Sequence, residues 1–219
     1  MKPRSSNQRK QAFTLMELLV VIAVLAILLA TIDFGPSQNA KKKAQRINCV
    51  SNLHQIGTAF KVWEGDQLVR YPMQISVTNG GTRELAESGI VYVNFQVMSN
   101  QLSTPEILVC RADNSRVAAT NFSTDFNNGK ISYFVGLDAA DEYPQRVLSG
   151  DDNFEIGGVS VEPGLLRLST NTPVSWTAAR HKHIGNILLA DGSVSQTDDK
   201  SLVEKLQATG LATNRLAIP

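Results

Sequence analysis

One stretch of the chain has no polar face. Residues 13–32, FTLMELLVVIAVLAILLATI, are apolar except at Thr14, Glu17 and Thr31. Read as a helix at about 1.5 Å per residue, the run is about 30 Å long, the thickness of a bilayer's hydrocarbon core. Asp33-Phe34-Gly35-Pro36 interrupts it, because proline removes a backbone donor and crowds the preceding turn. The pattern then changes. From Ser37 to Trp63, Ile47, Val50, Leu53, Ile56, Phe60 and Trp63 recur at three- and four-residue steps, which predicts an amphipathic helix with one apolar stripe. One half of a long helical element is therefore apolar all round, and the other half has a single face to bury.

Beyond Trp63 the signals shorten. Asp66–Pro72 reads as a linker, Gln74–Thr78 as a short strand and Asn79-Gly80-Gly81 as a turn. Phe95, Met98 and Leu102 sit at helical spacing, so Asn94–Leu102 is expected to be a short helix. Ile107–Cys110 and Ile131–Leu137 read as strands, with a polar surface loop, Asp113–Lys130, between them. In Asn186–Thr197, two strand-like runs flank Asp191-Gly192, the residue pair of a type I′ hairpin turn. That turn would pair Ala190 with Ser193 and Leu189 with Val194. Ser201–Gln207 reads as a closing helix, with Leu202, Val203 and Leu206 inward and Gly210 as its stop.

Charge sets the orientation and raises a question. The leader Met1–Gln11 carries Lys2, Arg4, Arg9 and Lys10 and no acid, so it stays cytoplasmic and the rest of the chain is exported. Glu17 lies one turn inside the apolar run, where an ionised carboxylate costs up to about 2.5–3.5 kcal/mol on insertion scales. A plain anchor gives no reason for it. A cleaved secretory signal would have a shorter apolar core and a small-residue site after it, which Ile32–Pro36 does not supply. Lys41, Lys42, Lys43 and Arg46 crowd the start of the second helix, where they either meet anionic headgroups or neighbouring subunits or form a solvated face. The formal net charge is only +1, so no nucleic-acid footprint is present.

A third reading of the leader rests on a resemblance. Ala12-Phe13-Thr14-Leu15-Met16-Glu17 resembles the processing site of type IV pilins and type II secretion pseudopilins. The resemblance implies cleavage between Ala12 and Phe13 on the cytoplasmic side, N-methylation of Phe13, and a role for Glu17, fifth from the cut, in assembly. The family's usual residue before the cut is Gly, where this chain has Ala12. In a filament the new amine of Phe13 on one subunit would stand near Glu17 of its neighbour and offset the carboxylate's desolvation. The alternative is that Glu17 snorkels to the interface. Arg46–Gly57 resembles the helix of bacterial pilin-like proteins, and Cys110-Arg111-Ala112-Asp113 resembles the family's Cys-Pro-small-Asp with Arg111 in place of proline. His181, nine residues and then Asp191-Gly192, with Trp176 upstream, is similar to the H-x9-DG marker of one pilin-like subgroup.

The remaining chemistry leaves alternatives open. Cys49 and Cys110 lie outside the cytoplasm, where they either form a disulfide, worth about 4 kcal/mol on loop entropy, or pack as buried thiols. His181 and His183 would share one strand face and could ligate a metal; His181 alone could bond across the sheet or meet a neighbour or ligand. Asp138, Asp141, Glu142, Asp151 and Asp152 are either a calcium-binding group, as in major pseudopilins, or a solvated acidic loop without EF-hand spacing. Ser175, His181 and Asp191 contain the atoms of a triad but lack a nucleophile elbow.

These readings converge on an α+β, pilin-like fold: a long N-terminal helix packed on a C-terminal antiparallel sheet. The expected layout is a leader (1–12), a membrane and filament-core half-helix (13–35), an amphipathic half-helix (36–64) and a periplasmic head (65–219). The expected function is structural, with no catalytic residue, no metal and no cofactor. The chain would sit in the inner membrane as a single pass, N-terminus in the cytoplasm, and polymerise with copies of itself and other pilins. By resemblance, a prepilin peptidase, an inner-membrane platform protein and a cytoplasmic ATPase are its partners. An adhesive or DNA-uptake pilin, or a membrane-anchored envelope enzyme, are the alternatives.

Overall fold

The computed structural model describes residues 13–31, 38–66 and 70–219. The leader with Ala12, the Asp33–Pro36 break and residues 67–69 of the expected linker lie outside the described residues. The chain divides into two compact units, Met1–Ala40 and Lys41–Pro219.

The first unit contains helix α1, Leu15–Thr31. Its start is fixed by a reciprocal pair of bonds. Thr14 Oγ1 accepts from the Glu17 N–H at 3.2 Å, and Glu17 Oε2 accepts from the Thr14 N–H at 2.8 Å. This is a capping box, and it gives Glu17 a local task in addition to any intermolecular one. The large apolar residues of α1 are exposed on every side, from 81% at Leu15 to 47% at Val21. At 17 residues α1 is shorter than the apolar run of the sequence, and among the described residues no helix is long and apolar enough to cross a membrane.

Helix α2, Gln38–Asp66, begins in the first unit, and from Lys41 onward it belongs to the second. Short helices α3 (Arg83–Glu87), α4 (Tyr92–Val97) and α5 (Ser99–Leu102) follow. The strands are β1 (Tyr133–Gly136), β2 (Val147–Asp151), β3 (Phe154–Ile156), β4 (Val159–Ser160), β5 (Gly164–Ser169), β6 (Val174–Trp176), β7 (Gly185–Leu189) and β8 (Val194–Thr197). Helix α6 (Asp199–Ala208) and β9 (Thr213–Ile218) close the chain. Six strands form an antiparallel sheet in the order β5-β9-β1-β2-β7-β8, and β4-β3-β6 form a small second sheet.

Strand alternation gives the large sheet two covered faces. Tyr133 and Val135 of β1, Leu148 of β2, Leu188 of β7 and Ala217 of β9 join Cys49, Leu53, Ile56, Ala59, Phe60 and Trp63 of α2 in one core. Their sequence neighbours Phe134, Val147, Ile187, Leu189, Leu216 and Ile218 turn the other way, onto Phe154, Trp176, and Leu202 and Leu206 of α6. The α+β architecture expected from the sequence is thus present, with α2 packed on an antiparallel sheet, and it is consistent with a pilin-like fold.

Several local expectations need correction. The buried stripe of α2 starts at Cys49 rather than Ile47, which is 60% exposed. Cys49, Leu53, Ile56, Phe60 and Trp63 keep alternating steps of four and three, and Ile47 falls off that line. Gln74–Thr78 and Ile107–Cys110 are not strands. They contain single 3₁₀ turns at Pro72–Gln74, Val77–Asn79 and Pro105–Leu108, two of which begin at a proline that fixes φ for such a turn. The expected helix over Asn94–Leu102 is present as two pieces, α4 and α5, meeting at Met98.

The β7–β8 hairpin is offset by one residue from the expected type I′ pairing. Leu188, not Leu189, opposes Val194. The Leu189 N–H donates to the Ser193 carbonyl at 2.9 Å, and the Gly192 N–H donates back to the Leu189 carbonyl at 3.0 Å. Only Gly192 takes a positive φ, +85°, so the loop is a three-residue turn closed by a left-handed glycine. Every residue of β7 is buried, so neither face of the strand penalises the slip.

Candidate functional site

Two places carry the residues singled out by the sequence: the start of α1, and the junction of α2 with the turn before β7. At the first, Phe13 is 77% exposed and Glu17 is the only ionisable residue between residues 13 and 31. Thr14 Oγ1 also donates to Glu17 Oε2 at 2.8 Å. The carboxylate therefore closes the helix start and remains exposed.

At the second place, Cys49 on α2 and Cys110 are joined by a disulfide, with Cα atoms 5.3 Å apart. The bond ties the amphipathic helix to the segment that follows the Pro105–Leu108 turn. His181 stands against it, with Nε2 3.3 Å from Cys110 Sγ. The expected strand with two histidines on one face is not formed. His181, Lys182 and His183 instead follow one another through left-handed backbone at φ +48°, +56° and +57°. Such residues cost roughly 1–2 kcal/mol each, and fixed partners hold them there. Arg46 Nη2 donates to the His181 carbonyl at 3.1 Å, the His183 N–H donates to Thr177, and His183 Nδ1 donates to the Trp176 carbonyl at 2.8 Å. The two rings thus have separate partners, one on sulfur and one on a carbonyl.

Burial, with Arg46 and Arg180 nearby, lowers the His181 imidazole from 6.5 to about 4, so it is neutral at neutral pH. The sulfurs of Cys49 and Cys110 and a ring nitrogen of His181 lie within 4.8 Å of one another. As a disulfide, however, the sulfurs lack the thiolate charge that ligates zinc. Asp191, the other end of the H-x9-DG pattern, accepts from the Ser193 N–H at 2.8 Å and orders the hairpin loop.

Of the acids considered for calcium, Asp138, Asp141 and Asp152 pair with bases. Asp138 pairs with Arg215 at 2.7 Å, and Asp141 pairs with Lys61. Asp152 pairs with Arg180 at 2.5 Å and Arg116 at 2.6 Å, and Asp113 closes the same network on Arg180 at 3.0 Å. Asp151 is fully enclosed and accepts from the N–H and Nδ2 of Asn186, each at 2.8 Å. Burial, outweighing Arg180 and Asn186, pushes its carboxyl from 3.8 up to about 6. Ser175 donates to Glu155 at 3.1 Å, so Ser175, His181 and Asp191 have three different partners and do not form a triad.

Sequence reasoning missed Asp113, Arg116 and Arg180 as a buried network, because nothing in their spacing marks it. It also missed Thr14 as a cap, although Thr-x-x-Glu ahead of an apolar run is a legible signature.

Residues 7–32 match the prokaryotic N-terminal methylation motif, which is typical of type IV pilins and pseudopilins. The motif implies prepilin-type processing and an inner-membrane-anchored precursor. No curated protein and no solved structure matches the chain.

Proposed function

We propose that the chain is a structural subunit of a type II secretion-like pseudopilus or a type IV pilus. In this reading a prepilin peptidase cuts between Ala12 and Phe13, and Phe13 is methylated. The subunit waits in the inner membrane and is then drawn into a filament of its own copies, with a platform protein and a cytoplasmic ATPase driving the transfer. The 13–35 segment forms the filament core, and the amphipathic half-helix (36–64) carries the 65–219 head. The observation that carries the reading is α1 itself. Its large apolar side chains are exposed all round, and a single acid sits near the end where cleavage after Ala12 would leave the new amine. Exposed apolar surface of this extent calls for lipid or protein cover from outside the chain.

The H-x9-DG residues have architectural tasks in this reading: His181 packs on the disulfide and Asp191 orders a turn. They keep the head rigid on the helix that carries it.

Mass spectrometry of the mature N-terminus is the test. A methylated Phe13 start is expected; a start at Met1, or beyond Pro36, would refute processing. The assembly role of Glu17 is tested apart from its capping role. Glu17→Gln keeps an oxygen that can accept from the Thr14 N–H but loses the charge, so it should insert normally and fail to form filaments. Wild-type filament yield from Glu17→Gln would remove the charge from the account.

A further inference from the structure

Beside the disulfide, the first turns of α2 and the turn at 178–183 enclose a cavity of about 260 Å³. Lys42, Gln45, Arg46, Asn114, His181 and Lys182 line it, and no carboxylate does. None of its three cations takes part in the ion pairs of the described residues. Arg46 Nη2 is held by the His181 carbonyl, which fixes the guanidinium in the cavity wall. A fixed guanidinium with no acid beside it leaves positive charge for an entering anion to meet. The left-handed run of His181–His183 adds a second kind of donor. Successive N–H groups in a turn can gather into an anion-receiving concavity, and among the described residues the N–H groups of His181 and Lys182 bond to no other backbone group.

We propose that this cavity binds a phosphate group. Three cations without an acid would leave a lone carboxylate overmatched, whereas a phosphate brings greater charge and the tetrahedral oxygens that a guanidinium fork recognises. The phosphate can be carried by an anionic lipid headgroup or be free in solution. In the proposed function, where α1 sits in lipid, Lys42 follows Thr31 by eleven residues in sequence, so a headgroup is one source to distinguish. The site stands independently of filament assembly.

The experiment uses the full chain in neutral-detergent micelles and in lipid nanodiscs. Calorimetric titration with inorganic phosphate at constant ionic strength should show saturable one-to-one binding. Lys42→Gln with Lys182→Gln should weaken it about tenfold or more while leaving the disulfide and the unfolding curve unchanged. In nanodiscs, acylation of Lys42 and Lys182 is compared with Lys200, whose side chain is 86% exposed and remote in sequence. Selective protection in phosphatidylglycerol but not phosphatidylcholine assigns the site to headgroups. Protection in phosphatidylcholine only on adding phosphate assigns it to the free ion. An equal response to chloride, or no saturable phosphate binding together with no selective protection in either bilayer, overturns the proposal.

Discussion

Along α1 the large apolar side chains are 47–81% exposed, whereas along α2 Cys49, Leu53, Ile56 and Phe60 are fully enclosed. The two helices carry comparable apolar residues and differ in where those residues find cover. The stripe of α2 is matched by one face of the large sheet, and at about 25 cal/mol per Å² of apolar surface that match holds the head together. The surface of α1 has no such counterpart among the described residues, and in the proposed function the same driving force acts between molecules. A subunit stored in lipid and later bundled with its copies needs this division: a head that is stable alone, and a rod that is not.

The contrast is broken most strongly by removing bulk from α2. Phe60→Ala should cost the head about 3–5 kcal/mol in urea unfolding. Cutting the tie between α2 and the sheet comes next. Cys110→Ser opens a bond spanning 61 residues and should cost about 2–5 kcal/mol, read as a lower unfolding midpoint under oxidising conditions. The second core is tested at Gly185, where an added Cβ would stand 2.5 Å from the Trp176 ring; Gly185→Ala should cost about 1–3 kcal/mol.

Acid titration separates two buried groups of the head. His181, lowered from 6.5 to about 4, binds fewer protons in the folded chain; its contribution is complete above pH 6.5 and lost as pH falls toward 4. Asp151, raised from 3.8 to about 6, binds more; its contribution is complete below pH 3.8 and lost as pH rises through 6. The two slopes oppose each other over the shared window. Stability of His181→Asn should therefore fall more steeply from pH 4 to 6 than that of wild type, and Asp151→Asn should rise. Parallel profiles for all three would contradict this assignment. The smallest effects are expected where the helices are exposed: Leu25→Ala in α1 and Ile47→Ser in α2 should each change head stability by less than about 0.5 kcal/mol.

The long helical elements were legible because their apolar spacing is sustained over many turns. The stripe from Leu53 to Trp63 lies where its period puts it, and the edge positions Ile47 and Val50 lie outside the buried core. The hairpin was legible as a hairpin but not in register, because Leu188 and Leu189 are buried on opposite faces and a slip exposes neither. The histidine turn was not legible. A left-handed run of His181, Lys182 and His183 contains no glycine, and what holds it comes from Arg46, Thr177 and Trp176 elsewhere in the chain. The acids around Asp152 looked like a surface loop because Arg116 and Arg180 meet them only once the sheet is formed.

The most direct test asks what covers α1 in living cells. A photo-crosslinking residue in place of Leu19, 55% exposed on α1, is activated while the native assembly machinery is expressed. The account predicts a ladder of adducts at whole multiples of the processed subunit's mass, lost in Glu17→Gln. Adducts to lipid alone, with no ladder while the machinery is active, would contradict it.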